Sequence, residues 1–220
     1  MTTVGGLDRM IRARHLLKHP FYTAWSRGEV SLPTLGRYAQ QYYQFESNFP
    51  RYVAATYARL PVARLRRTLL ENLVDEEGRD PTHPALWLDF AAALGVSRRA
   101  VEEARPTPAT RRLLRTYADA TFGRSAAAGL GALYAYESIF PEVAAEKSRG
   151  LREQYGLSDP KAHEFFRVHT AADVEHSAAE RAVMRAVLRA TPSEAATMER
   201  HCRRSIDAWW GFLDSFVVGG

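Results

Sequence analysis

Apolar residues recur three and four positions apart along almost the whole chain, and no segment alternates apolar and polar residues long enough to make a strand. The pattern predicts an all-α protein. A helix near Leu7–Leu17 stops before His19-Pro20, and a short one follows over Phe21–Arg27. Ser31 caps a helix from Leu32 to Ser47, with Pro33 in the first turn, where its missing N–H does no harm. Pro50 breaks or kinks the pattern, which resumes to Leu60. Val62–Glu77 comes next and is stopped by Gly78; the loop GRDPTHP then leads into Ala85–Leu94, and Ser97 caps a short helix. Thr107–Ala120 and Ser125–Phe140 follow, with Pro141 kinking the latter into Glu142–Tyr155. Ser158-Asp159-Pro160 opens a long helix to about Leu188, and Thr191-Pro192-Ser193 opens the last, ending near Val217. The breaks are short, no internal repeat is apparent and no linker divides the chain. Residues 1–220 are therefore expected to form one domain, a bundle of about eight or nine helices.

Size and composition agree. A globule of 220 residues buries roughly 70% of its unfolded surface, and an apolar fraction of 46% with 25% charged residues excludes wholesale disorder. The longest run without a charged side chain, Ser125–Tyr136, is too short to span a bilayer, so no membrane partner is expected. The start of the chain lacks the apolar stretch of a secretory signal, and the lone Cys202 can form neither an internal disulfide nor a thiolate cluster. The chain reads as cytoplasmic. Its net charge of +5 is small, and the basic groups Arg64/Arg66/Arg67, Arg111/Arg112/Arg115 and Arg200/Arg203/Arg204 have the spacing of solvated helix faces. Nucleic acid is not an expected partner. Only Lys18, Lys147 and Lys161 are lysines, which singles each of them out.

The densest chemistry lies in His169-Thr-Ala-Ala-Asp173-Val-Glu-His176. At about 100° per residue, two imidazoles and a carboxylate project from one narrow stripe of a helix. A polar surface face would look the same, but Phe165, Phe166, Val168 and Val183 mark the helix as buried, and buried polar groups need partners. Glu137 sits inside the apolar run ALYAYESIF, where it needs an arginine or a metal. Glu76 closes a helix and His83 follows after a turn; singly, Glu76 reads as solvated and His83 as a loop histidine. Together the six offer three carboxylates and three imidazoles. Two divalent ions among three carboxylates leave about +1, which suits capture of dioxygen, and O/N ligation without sulfur favours iron or manganese.

The set Glu76, His83, Glu137, His169, Asp173 and His176 resembles that of the haem-oxygenase-like dimetal oxidases, and within them the chlamydial proteins associating with death domains and their bacterial relatives. The resemblance runs from about His19 to Glu180. It implies a haem-oxygenase-like helical bundle that uses two metal ions, iron and/or manganese, with dioxygen and an external reductant as co-substrates. The subgroup makes p-aminobenzoate for folate and consumes its own side chains. Tyr22, in HPFYTAW, stands at the position of the tyrosine that supplies the ring; Lys147, in PEVAAEKSRG, stands at that of the amine donor. Tyr38 and Tyr136 fall where the family has tyrosines beside the metals. Cys202 lies outside the matched stretch, so the thiamine chemistry of related helical proteins is not expected.

Two other readings use the same residues differently. One keeps the metals but oxidises a diffusible amino acid, fatty acid or amine, which would leave Tyr22 and Lys147 without a purpose. The other is a metal-free helical interaction module. Trp209, Trp210, Phe212, Phe216 and Val217 carry more apolar surface than one helix face buries, so the last helix should close the core or contribute to a homodimer.

Overall fold

The computed structural model describes residues 3–217. Twelve α-helices and two short 3-10 turns account for the regular structure, with no strand among the described residues. In chain order they are α1 (Val4–Ala13), α2 (Pro20–Ser26), α3 (Leu32–Glu46), α4 (Phe49–Arg59), α5 (Ala63–Glu77) and α6 (His83–Ala93). Then come α7 (Arg98–Glu102), α8 (Pro108–Thr121), α9 (Ala126–Glu137), α10 (Phe140–Glu153), α11 (Pro160–Ala190) and α12 (Ala195–Asp214). The all-α expectation holds, and no described helix is long and apolar enough to cross a membrane.

Helix starts are written in the sequence. Ser31, Ser97, Thr107 and Ser125 each accept a hydrogen bond from a backbone N–H of the first turn. Seven of the twelve α-helices carry proline in that turn, where no N–H is needed. Pro50 is thus a break, one of the two alternatives expected of it, while the reading of Pro141 as a kink is corrected. Each begins a new helix, α4 and α10, after the preceding one has ended. His83, read as following a turn, is the first residue of α6. The first helix also starts and ends earlier than expected, because the chain breaks after Ala13 into a 3-10 turn capped by His15.

The two proline breaks share a sequence. α3 ends on Glu46 in ESNFP, and α9 ends on Glu137 in ESIFP. The expectation of no repeat missed this pair, whose effect is to end two helices on buried carboxylates.

α9 is buried on every side, and it lies so close to α12 that a Cβ on Gly131 would sit 2.4 Å from the Met198 carbonyl oxygen. Trp209, Phe212 and Phe216 of the last segment enter the common core, while Val217 stays exposed. Closing the core thus accounts for most of that apolar surface.

Candidate metal centre

Five helices converge on the centre. α3 brings Glu46, α5 Glu76, α6 His83 and α9 Glu137, while α11 brings His169, Asp173 and His176. All seven side chains are buried. They fall into two groups whose ligand-type atoms lie within 4.8 Å of one another: Glu46, Glu76, His83 and His169 in the first, and Glu137, Asp173 and His176 in the second. The six residues singled out in the sequence are therefore brought together, and Glu46 joins them.

The imidazoles are oriented by their neighbours. His169 Nδ1 faces the Phe165 carbonyl at 2.8 Å, which leaves Nε2 for the centre, 3.9 Å from Glu46. His176 Nε2 lies 2.9 Å from the Asp75 carboxylate, itself paired with Arg79, so Nδ1 turns inward, 3.5 Å from Asp173 and 3.9 Å from Glu137. His83 Nδ1 meets Glu76 at 2.9 Å, and Asn72 donates to Glu137 at 2.6 Å.

Burial dominates the electrostatics. It drives the Glu46 and Glu76 carboxyls well above the usual carboxylate range and lifts Asp173 to about 7. Burial also holds the His169 imidazole well below its ordinary value, helped by the adjacent His83. His176 goes the other way: burial would lower it, but the Asp173 and Glu137 carboxylates and its bond to Asp75 raise it to about 9. Glu46 Oε1, His83 Nε2, Glu137 Oε2, Asp173 Oδ2 and His176 Nδ1 are buried without a hydrogen-bond partner. Ionised carboxylates so placed cost several kcal/mol each unless a cation lies among them. The donor set of oxygens and imidazole nitrogens, in two groups, fits two first-row transition metal ions.

Beside the centre lies an aromatic chamber. The Tyr22 and Tyr38 hydroxyls are 2.9 Å apart, and the Tyr42 hydroxyl is hydrogen-bonded to that of Tyr136. Tyr42 stacks on Trp87 at 4.1 Å between ring centres, and Tyr136 stacks on Trp209 at 5.2 Å. The Lys147 side-chain nitrogen enters this chamber from α10. It stands 4.4 Å from the centre of the Tyr42 ring, 5.3 Å from Tyr38 and 5.4 Å from Tyr22. It is fully buried and has no hydrogen-bond partner, and burial lowers its pKa well below that of a free lysine. Tyr134 is apart from this group, its hydroxyl donating to Asp8.

Three carboxylates escaped the sequence reading. Glu46 was legible as the counterpart of Glu137 in the ESxFP pair, and Glu180 as the next member of the stripe that carries His169, Asp173 and His176. Asp75, adjacent to Glu76, carries no motif that would mark it.

An all-helical chain that buries a double carboxylate–imidazole centre belongs, by architecture, with the haem-oxygenase-like proteins. A protein of that fold from Shewanella denitrificans superposes with a TM-score of 0.76 over 96% of this chain and 88% of its own, at 18% identity. Residues 36–210 match the family of iron-containing redox enzymes, and the chain belongs to that family. It is 40% identical to a 4-aminobenzoate synthase of Chlamydia muridarum over 99% of this chain and 91% of the relative. It is also 40% identical to a 4-aminobenzoate synthase of Nitrosomonas europaea over 94% of this chain and 88% of that protein. The match continues past Glu180 and takes in Cys202, which corrects the expected extent. That thiol is buried and pushed up to about 12, mainly by burial, so it is no nucleophile.

Proposed function

We propose that this chain forms 4-aminobenzoate (p-aminobenzoate), using two metal ions, iron and/or manganese, dioxygen and an external reductant. Tyr22 supplies the aromatic ring and Lys147 the amino nitrogen. The observation that carries this reading is the Lys147 amine, buried without a hydrogen-bond partner over the rings of Tyr22, Tyr38 and Tyr42. A lysine kept only for its charge would reach solvent or a carboxylate. The similarity to two 4-aminobenzoate synthases at 40% identity supports the product.

Glu46, Glu76, His83 and His169 would hold one ion, and Glu137, Asp173 and His176 the other. Iron or manganese bound there supplies the one-electron chemistry that activates dioxygen. The chain's own residues do the rest. The Tyr22–Tyr38 hydrogen bond sets the Tyr22 hydroxyl against a second phenol, which can take the proton of Tyr22 on oxidation only as it passes on its own. The Tyr42–Tyr136 bond makes a second phenol pair, with Tyr136 next to Glu137 in sequence, so the two pairs connect the chamber to the metal side. Desolvation pushes Lys147 towards its neutral form, the only form in which an amine attacks carbon. The surrounding rings exclude water from that step.

Isotopes decide the matter. Protein made with ring-labelled tyrosine and nitrogen-labelled lysine, given iron, oxygen and reductant without added substrate, should release doubly labelled product, at most about one per chain. Unlabelled product, or many turnovers per chain, would hand the case to an oxidase of a diffusible substrate.

A further inference from the structure

Glu180 is a fourth polar member of the α11 face that carries His169, Asp173 and His176, and the proposed function gives it no task. The spacing His169, Asp173, His176, Glu180 runs four, three and four residues, so all four side chains leave one side of the helix. Glu180 is 1% exposed, and neither carboxylate oxygen meets a hydrogen-bond donor. Its neighbour Arg181 does not neutralise it, because that guanidinium is paired with Asp8. The carboxylate acting most strongly on it is Glu137, a member of the second group. Glu137 is within hydrogen-bonding reach of it, so the two buried carboxyls, with no basic group between them, must share either a proton or a cation.

The two groups are also unequal. The first offers four side chains and the second only three. Glu180 would make them equal. We propose that Glu180 is the fourth protein ligand of the second cation, joining Glu137, Asp173 and His176 around a divalent iron or manganese ion. The assignment rests on the two-metal reading given above. Its particular consequence is that loss of Glu180 weakens one site and spares the other.

The test is an anaerobic titration of the wild-type protein, Glu180→Gln and Glu180→Asp with Mn2+, read by calorimetry and by the electron paramagnetic resonance of the bound ion. The wild type should take two equivalents and show a spin-coupled pair. Glu180→Gln should bind the first equivalent within about threefold of wild type and the second at least about tenfold more weakly, with the spectrum of an isolated ion at one equivalent. Glu180→Asp should fall between. The glutamine variant removes a buried charge without changing shape, so its melting temperature before metal is added should not fall; this separates lost ligation from lost folding. Wild-type affinity for both equivalents would overturn the assignment, leaving Glu180 a protonated core carboxyl. Equal weakening of both sites would overturn it too, as the mark of charge acting at a distance. Fewer than two equivalents in the wild type would instead overturn the two-metal reading itself.

Discussion

A lysine amine held among aromatic rings has a thermodynamic signature. Unfolded, Lys147 is ordinary and titrates near about 10.4, whereas burial lowers its pKa in the folded chain. The unfolded state therefore binds the extra proton, and stability is lost as pH falls from the unfolded value towards the folded one. Above about pH 10.4 the deficit vanishes. Lys147→Met, which keeps the packing, should thus melt higher than wild type near neutral pH, by roughly 2–4 °C for each kcal/mol recovered. The advantage should shrink as pH approaches about 10. A constant advantage at all pH values in thermal melts would mean that packing, not the proton, is responsible. Tyr22→Phe makes the complementary case. It removes the hydroxyl bonded to Tyr38 and leaves the ring, so product formation should stop while two equivalents of metal still bind, as metal analysis would show. Lys147→Arg should be equally silent, because a guanidinium stays charged and cannot attack as an amine.

Whole helices were easier to read than their ends. Apolar spacing and the Ser and Thr caps located nearly every element, and the α11 stripe placed three candidate ligands together because four- and three-residue spacing is itself geometry. Pro141 misled, and Pro50 stayed open between a break and a kink, because proline disrupts a helix interior but suits a first turn, and only the folded chain shows that α3 and α9 had already ended. The meeting of α5, α6 and α9 at one centre was not legible, since no local pattern encodes which helices touch; the family resemblance supplied it. Glu46 was missed because a single glutamate after an aromatic run looks like the solvated end of a helix, yet it is 1% exposed. Two predictions belong to this scale. Glu46→Ala should lower bound metal while the helical circular dichroism survives, because α3 buries Leu35, Tyr38, Tyr42 and Phe45 independently of it. Gly131→Ala should destabilise the protein by about 1–3 kcal/mol in urea titrations, because α9 and α12 must separate to admit the methyl group.

At the scale of the molecule the centre ties α3, α5, α6, α9 and α11 through side chains that repel one another without a cation. Metal removal by a chelator should therefore lower the melting temperature. An ion present at a hundred times its dissociation constant contributes about 2.7 kcal/mol, or roughly 5–10 °C for a chain of this size. Fe2+ or Mn2+ should restore it and Mg2+ should not, because imidazole-rich sites bind magnesium poorly. The aromatic chamber has a further consequence, for the lifetime of the protein. Tyr22 and Lys147 are not appended to a finished fold: they are core, 2% and 0% exposed. Extraction of a ring from a packed interior removes about 3–5 kcal/mol from a total of about 5–15. On the reaction proposed above, a chain that has delivered its product is a loosened chain, open to proteolysis where its unreacted siblings are closed. Supply of the product would follow the rate at which ribosomes make this protein rather than any turnover number, and the used copies would mark themselves for disposal.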